Sequence, residues 1–426
     1  MLDIKFIREN RELVLLAAKK KRIEVDIGHL LELDDRRREL MAKVEEKRAR
    51  QNTASDNLPS ASADERAGIL AEMKTLKEGL REEEAAHEAV IKEWRELMLQ
   101  VPNVPDATVP DGDVEANQEV STWGKVPKFK FEPKSHHELA LSLGIADFEA
   151  GARLSGFRGY VLLGFGARLQ MAVVNLALDR LLAKGFEPMV VPSLVRRETL
   201  LGTGYLPQGE DDLYRTQDGE YLAGTAEVAA MSYFADAALA KSSLPRKIVA
   251  FSPCFRREAG SHGKDEKGLF RVHEFVKLEQ VVIAEARHEE SVRLHEELRE
   301  NAEEILQALE LPYHVIVNAS GDLGLGQVKK YDLEAWMPSE KRYRETHSAS
   351  YFHDFQTRRL NIKYIEDDGT PNGKRVLAHS LNNTAIASPR ILCQLLEVHQ
   401  QADGSVKIPE ALRPYLGGAE EIRPHG

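Results

Sequence analysis

Cysteine is almost absent from this chain of 426 residues. Its two cysteines, Cys254 and Cys393, lie far apart and have no Cys/His spacing of the kind that binds metals. This scarcity excludes a disulfide framework, and the missing ligand spacing means that no zinc is expected. We expect Cys254 to be a small buried apolar residue. The cysteine content is typical of a reducing compartment and favours a cytoplasmic location.

Long hydrophobic runs are missing as well. No apolar stretch approaches membrane-spanning length, and the N-terminal sequence MLDIKFIRENRELV has no apolar signal core. We therefore expect no membrane partner and no targeting leader. Charged residues make up 30% and hydrophobic residues 42%, a balance typical of a globular protein with two or three domains.

The net charge of −11 at first argues against a nucleic-acid partner. Local patches decide such binding, however, and residues 36–50 carry seven basic against three acidic side chains. Residues 72–98 carry five basic against eight acidic side chains. The basic side chains of the first segment are candidates for contact with a phosphate backbone. They are Arg36, Arg37, Arg38, Lys43, Lys47, Arg48 and Arg50.

Two long helices are predicted at about 28–57 and about 64–99, joined by a break that contains Pro59 and an expected N-cap at Ser62. The second helix has a heptad seam, made by Met73, Leu80, His87, Trp94 and Val101. We predict an antiparallel hairpin about 45 Å long at ~1.5 Å per residue.

Two interpretations of this hairpin stay open. One is an ordinary bundle or dimerising coiled coil, and the other is an arm that reaches a phosphate backbone. The seam of the first helix is interrupted by Arg37 and Lys47, which the heptad pattern does not explain.

Beyond the hairpin, prolines and glycines at 102–112 mark a linker, and the chain from about 120 onward mixes strands and helices. Residues 168–185 predict a helix, and 186–195 predict a strand that Pro188 and Pro192 confine to an edge. The sequence predicts a domain at 1–105 with the hairpin at about 28–100, a linker at 106–125, and an α+β domain at 126–426.

Residues 255–283 predict a β-hairpin whose polar face is too charged for a core. In its second strand Arg271, Phe275 and Glu279 share a face by the period of two. Arg256 and Glu258 are expected to share a face of the first strand. The loop from Gly260 to Gly268 is predicted to be exposed and mobile.

This segment resembles motif 2 of the class II aminoacyl-tRNA synthetases, with FRREAGS and GLFRVHEFVKLE similar to the seryl type in particular. The helix and edge strand that end at Pro192 resemble motif 1, the dimer interface. The segment with Ser388 as an N-cap, followed by Pro389 and Arg390, resembles motif 3. A cation at the start of a helix is unfavourable unless an anion binds there too. Thr225-Ala226-Glu227 resembles the serine loop of the seryl enzymes.

The resemblance implies residue roles. Arg256 bridges the carboxylate of serine and the α-phosphate of ATP, Glu279 contacts the serine hydroxyl, and Arg390 binds the γ-phosphate. Glu345 and Ser348 hold Mg²⁺ through oxygen ligands. The other ATP contacts implied are Arg257, Glu258, Arg271, Val272, Phe275, Thr346 and His347. The other serine contacts implied are Thr225, Ala226, Glu227, Asn382 and Thr384.

The fold that the resemblance implies is α+β: an N-terminal antiparallel two-helix coiled-coil arm, and a catalytic domain built on an antiparallel sheet flanked by helices. The implied activity is ATP-dependent attachment of serine to serine tRNA by a homodimer, with selenocysteine tRNA as a further possible substrate. The alternatives are a relative that charges a carrier protein or a non-catalytic binding module.

Overall fold

The computed structural model of the chain describes residues 1–260, 263, 265, 267–367 and 373–424. It has two compact units, one formed by Leu2–Pro102 and the other by the chain from Asn103 onward together with Met1. None of the described helices has both the length and the apolar character needed to cross a membrane.

The N-terminal unit is helical. Its two long helices pair along their length and match the predicted hairpin closely. The second of them starts with a capping box, in which the carboxylate of Glu65 accepts from the backbone N–H of Ser62 at 2.9 Å. The helices of this unit are α1 (Ile4–Glu9), α2 (Arg11–Lys20), α3 (Ile27–Asn57) and α4 (Ala63–Met98).

The two residues that interrupt the heptad pattern of α3 make contacts across the hairpin. The guanidinium of Arg37 lies 4.9 Å from the ring centre of Trp94 on α4. Lys47 Nζ lies 3.0 Å from Glu83 Oε1, also on α4. A cation over an indole ring and an ion pair both stabilise helix pairing without an apolar side chain. The interruptions are therefore part of the seam.

The second unit is an α+β domain. Its helices are α5 (His136–Ser142), α6 (Phe148–Ser155), α7 (Gly164–Ala183), α8 (Arg197–Thr203), α9 (Glu227–Ser232), α10 (His288–Ala308), α11 (Phe355–Leu360) and α12 (Ser388–Val398). Its strands are β1 (Gln118–Trp123), β2 (Ala146–Asp147), β3 (Val161–Leu162), β4 (Glu187–Val190), β5 (Leu194–Val195), β6 (Tyr214–Arg215), β7 (Tyr221–Leu222), β8 (Ala238–Ala240), β9 (Arg246–Phe255), β10 (Glu274–Ala284), β11 (Tyr313–Val317), β12 (Lys329–Met337), β13 (Arg342–His353), β14 (Lys363–Glu366), β15 (Lys374–Leu377), β16 (His379–Ala387), β17 (Val406–Lys407) and β18 (Glu421–Ile422).

The main sheet has the strand order β1-β11-β12-β13-β16-β10-β9-β4. Its neighbours pair antiparallel except β4, which runs parallel to β9 at one edge, as the prolines of that segment predict. The other edge is β1, which lies within the segment 106–125 predicted as a linker.

The two faces of this sheet differ. On one face, apolar residues of β10 such as Leu278 and Val282 pack in a large core with α5, α7, α10 and α12. On the other face, Val281 and Ile283 pack in a smaller core with α9 and α11. Lys277 and Glu279 share this second face by the strand period, so charged side chains stand beside the smaller core.

The predicted hairpin at 255–283 differs from the structure at its ends. β9 ends at Phe255, so Arg256 and Glu258 lie beyond the strand, and Glu258 has a left-handed backbone with φ of 55°. The return strand begins only at Glu274. Because the strand period does not extend to these residues, it cannot assign their faces. Within the predicted loop Gly260–Gly268, residues 261, 262, 264 and 266 lie outside the described part of the chain.

Candidate active site

A cavity of about 510 Å³ opens on the second face of the main sheet. Most of the predicted site residues line it: Glu227, Arg256, Glu258, Arg271, Val272, Phe275, Glu279, Glu345, Thr346, Ser348, Asn382, Thr384 and Arg390. Four predicted residues do not: Thr225, Ala226, Arg257 and His347. The cavity gathers both acidic and basic side chains, which is the arrangement that a charged ligand requires.

The floor of the cavity is β10, where Phe275, Lys277 and Glu279 alternate toward the opening. The ammonium of Lys277 pairs with the carboxylate of Glu279, and both side chains are almost fully buried. The sequence analysis missed Lys277, although the same period that selected Phe275 and Glu279 also selects it. Glu279 is thus both a cavity residue and a member of a buried ion pair.

A β-bulge on β13 explains how Glu345 and Ser348 reach the same cavity. Residues three apart on a regular strand face opposite sides. Here Leu333 of β12 pairs with His347 and the next residue pairs with Glu345, so Thr346 is inserted without a partner. This insertion reverses the strand phase and brings Glu345 onto the face of Ser348.

A second bulge lies on the neighbouring strand β16, where Ala385 is skipped in the pairing with β10. The ring Nε2 of His347 donates to the carbonyl of Ala385 at 2.9 Å and so links the two bulges. His347 is fully buried, and burial lowers its pKa to about 4. The implied ATP contact of His347 stays a prediction, and its buried ring supports the two bulges.

Glu227 reaches the cavity by a route that the sequence analysis did not predict. Thr225 and Glu227 were expected to point the same way on an extended segment, but Ala226 is helical and Glu227 begins α9. Thr225 is buried beneath the floor, where its hydroxyl donates to Glu279 Oε2 at 3.2 Å. Burial, followed by the nearby Glu279, raises the pKa of Glu227 to about 7.

Arg256 lines the cavity next to Phe275. Its guanidinium lies 5.5 Å from the ring centre of Phe275, and its Nε donates to the carbonyl of Gly224 at 3.3 Å. Burial lowers the pKa of Arg256, but the nearby Tyr205, Glu345 and Glu258 outweigh this effect and raise the pKa overall. The pKa of Tyr205 is itself raised by burial and by Glu227. The guanidinium is therefore charged and surrounded by groups that favour its charge.

The far end of the cavity is cationic. Arg390, in the first turn of α12, lies 3.3 Å from Glu345 Oε1 and 5.1 Å from the ring centre of Phe270. α12 begins one residue earlier than predicted, since Ala387 is its N-cap and Ser388 instead donates to Gln170 at 3.1 Å. Arg390 keeps its predicted place at the start of the helix, where an anion is favoured.

Two further predicted ATP contacts are engaged with protein groups. Arg271 Nη1 donates to Glu258 Oε2 at 2.5 Å, and its Nε donates to Asp265 at 3.2 Å. Arg257 lies outside the cavity and donates to the carbonyl of Asp211 at 3.1 Å. Glu258 and Arg271 thus pair with each other in the cavity lining, whereas the side chain of Arg257 is held outside it.

Glu345 and Ser348 fit a magnesium ion that is bound mainly through phosphates. Glu345 keeps 44% of its side chain exposed toward the cavity. Burial would raise its pKa, but Arg390, Lys330 and Arg256 hold it below the usual value, so the carboxylate is ionised. Among the described residues, no three His, Cys, Asp or Glu side chains are grouped to hold a metal. A hard cation with two protein oxygens needs other ligands, and phosphates supply them.

Comparisons with known proteins agree with this arrangement. Residues 1–105 match the seryl-tRNA synthetase N-terminal domain, and residues 212–399 match the tRNA synthetase class II core domain (G, H, P, S and T). The serine–tRNA ligase of Deinococcus radiodurans is 47% identical over 424 residues, with 99% of each chain covered. The chain belongs to the seryl-tRNA synthetase family.

Solved structures of this family have the same fold. Seryl-tRNA synthetase from Pyrococcus horikoshii, complexed with ATP, is 36% identical with a TM-score of 0.89 and full coverage of both chains. The cytoplasmic serine–tRNA ligase of Naegleria fowleri, in complex with AMP, is 32% identical with a TM-score of 0.86, covering 100% of this chain and 99% of that one. The predicted α+β fold with a helical arm and an antiparallel catalytic sheet is thereby confirmed, and the chain is an aminoacyl-tRNA synthetase of the seryl family.

Replacing Arg256 tests whether its planar guanidinium is needed. We expect Arg256→Ala to lower the rate of serine-dependent pyrophosphate exchange by at least about 10²-fold, because one preorganised donor at a developing charge contributes that much. Arg256→Lys keeps the charge but loses the planar fork, so we expect only partial recovery. Circular dichroism melting would serve as the fold control. Exchange within about threefold of the unmodified enzyme in Arg256→Ala would remove this residue from the reaction.

Proposed function

We propose that this cavity activates L-serine with ATP to seryl-adenylate and pyrophosphate, and that the seryl group then passes to the 3′ end of serine tRNA. The observation that carries the proposal is that Glu227, Arg256 and Arg390 line one cavity, in which Arg390 pairs with Glu345. An amino acid has its ammonium and carboxylate a few bonds apart. It would place the ammonium at Glu227 and the carboxylate at Arg256, where the α-phosphate of ATP would also bind.

The reaction joins two anions, a carboxylate and a phosphate, so the enzyme must hold them in line and offset the charge that develops. Arg256 holds both oxygens, and Phe275 stacks under the adenine. Arg271 and Arg390 bind the outer phosphates, and Glu258 accepts from the adenine amino group. Glu345 and Ser348 would bind Mg²⁺, which when bound neutralises phosphate charge. The pyrophosphate leaves toward Arg390.

The serine side chain is proposed to lie over Glu279, with Asn382 and Thr384 on the adjacent strand. Glu279 accepts from Thr225 and pairs with Lys277, so its carboxylate is held in place. A substrate without a hydroxyl would leave this buried acceptor short of a partner, which disfavours alanine. Threonine must be rejected by space, and the methyl group of Thr384 narrows the site.

Pyrophosphate exchange across the amino acids tests this function. We expect serine to give the highest kcat/KM, with alanine and glycine lower by roughly 10²-fold or more, since buried polar groups would be left unpaired. The exchange requires ATP and Mg²⁺ but no tRNA. Equal exchange with serine, alanine, threonine and glycine would contradict the proposal.

We propose that the α3–α4 hairpin contacts the tRNA. Five of its candidate cations are largely exposed, namely Arg36, Arg38, Lys43, Arg48 and Arg50. All but Arg38 form ion pairs with exposed acidic neighbours, and such pairs contribute little to stability and can be exchanged for phosphates. Arg38 lies 3.5 Å from Asp34, which is buried and also pairs with Arg37. Arg37 and Lys47 belong to the helix seam and are the less suitable candidates. An arm of this kind favours tRNA over a carrier protein as the acceptor.

Removal of two exposed arginines tests the arm. We expect the double variant Arg36→Ala with Arg38→Ala to keep pyrophosphate exchange and to charge tRNA more weakly, most clearly as salt rises from about 50 to about 200 mM. The slope of log affinity against log salt should fall by about one for each lost phosphate contact.

The matched control for this test is Lys74→Ala with Lys77→Ala, which removes the same charge from exposed positions on α4. It should retain charging. Equal loss of charging in both double variants, or a loss of exchange in the arginine variant, would contradict the role of the α3 arginines.

We propose that the chain acts as a homodimer through the region of β4 and β5. Residues of this segment and of α9 form an apolar groove on the surface. Val190 is 82% exposed and Tyr233 72% exposed, an unusual amount of apolar surface for one region of a monomer. β4 is the sheet edge with unsatisfied pairing potential, and a second copy would cover both the edge and the groove.

A charge placed in this groove should prevent pairing. We expect Val190→Glu to shift the mass measured by light scattering from dimer to monomer, because a buried unpaired carboxylate costs several kcal/mol. Leu70→Glu on α4, also at an exposed apolar residue, is the control and should stay dimeric. A dimeric Val190→Glu variant would place the interface elsewhere.

A further inference from the structure

Gln356 is a buried residue of the cavity lining that has no role in the proposed reaction. It is the second residue of α11 and is 1% exposed. Its amide Nε2 donates to Glu227 Oε1 at 2.6 Å and to the carbonyl of Thr203 at 3.1 Å. Its Oε1 accepts from the hydroxyl of Ser380 at 2.7 Å. These three bonds use both amide hydrogens and the carbonyl.

The orientation of this amide is therefore determined by its partners. A flipped amide would turn Oε1 toward a carboxylate and a carbonyl, which are both acceptors, and would turn Nε2 toward Ser380. Three acceptors in a buried space cannot be satisfied, so the flipped form is strongly disfavoured. Gln356 can therefore only donate to Glu227 and cannot accept from it.

We propose that Gln356 is a positioning residue for the amino-acid substrate, which holds Glu227 ionised and aimed at the substrate ammonium. The proposal rests on the proposed function, in which Glu227 binds that ammonium. Gln356 itself does not touch the ammonium. Because the same amide also bonds Thr203, it fixes the carboxylate relative to the end of α8, next to the wall residue Tyr205.

The charges around Glu227 explain why such a donor is needed. Glu279 on β10 lies close enough to disfavour a second negative charge, and burial acts in the same direction. Lys277 on β10, Asn382 on β16 and Gln356 oppose them and favour the ionised form. Burial and the charge of Glu227 also raise the pKa of Tyr205, which lies in the cavity wall. The pKa of Glu227 therefore lies close to neutral pH, and the loss of one donor would shift the equilibrium toward the protonated form.

Serine binding is expected to strengthen as pH rises. The ammonium binds the ionised carboxylate, so serine affinity rises as pH increases through the pKa of Glu227, which is about 7 in the structure without substrate. Gln356 lowers this pKa by donating to the ionised form. Its removal raises the pKa further, and the acid limb of kcat/KM for serine moves to higher pH.

Gln356→Met removes the amide with little change in volume. We expect the KM for serine in pyrophosphate exchange to rise roughly ten- to hundredfold, because a buried charged acceptor loses its donor, while the KM for ATP changes by less than about threefold. The acid limb of kcat/KM for serine should shift upward in pH. A purely structural role would change both KM values together and leave the acid limb in place, which would overturn the proposal.

Gln356→Glu is the second variant, in case the apolar one folds poorly. A glutamate at this position can donate to Glu227 only while the two carboxyl groups share a proton. We expect it to bind serine better than Gln356→Met at acidic pH and to lose this advantage as pH rises. An advantage independent of pH would overturn the proposal.

Gln307→Met is the matched control, since Gln307 lies on α10 and donates to Tyr313 at 2.8 Å away from the cavity. Its serine KM should stay within about twofold of the unmodified enzyme. If the unmodified enzyme shows no serine-dependent exchange, the proposed function itself fails. If it exchanges normally and Gln356→Met does so equally well, only the role of Gln356 fails.

Discussion

The buried ion pair between Lys277 and Glu279 is the constraint around which the catalytic sheet is arranged. Both side chains are almost fully buried on the same face of β10, where an unpaired charge would be costly. Beside them on this face, the small core of Val281 and Ile283 packs against α9 and α11, whereas the opposite face is closed by α5, α7, α10 and α12. The short helices α8, α9 and α11 therefore surround the charges instead of covering them, and the space that is left is the cavity.

The two β-bulges complete this arrangement. A regular β13 would direct Glu345 and Ser348 to opposite faces, and the inserted Thr346 corrects the phase. The adjacent insertion at Ala385 sets the end of β16, from which α12 carries Arg390 into the cavity. His347 bonds the carbonyl of Ala385 and so joins the two insertions. The geometry around Glu345 and Arg390 therefore depends on a histidine whose ring is fully buried.

Periodicity in the sequence was sufficient to predict the hairpin arm and the shared face of Phe275 and Glu279, and the prolines at 188 and 192 were sufficient to predict the edge strand β4. The same period of two places Lys277 on that face as well. It could not place Arg256 and Glu258, since they lie beyond the strand where the period of two no longer applies. For a different reason, the sequence could not predict the bulges or the contacts of Tyr205 and Gln356. They depend on which distant segments pair, and a single sequence does not record that register.

The central claim is that Arg256 joins the two halves of the reaction at one point of the cavity. Calorimetric titration with a non-hydrolysable seryl-adenylate analogue, compared with serine alone and ATP alone, measures this directly. If the claim is correct, Arg256→Ala weakens the analogue by about 10²-fold or more and each separate substrate by less than about tenfold, because only the analogue has both groups in place. If all three ligands lose affinity by the same factor, Arg256 is a general binding residue and the claim is contradicted.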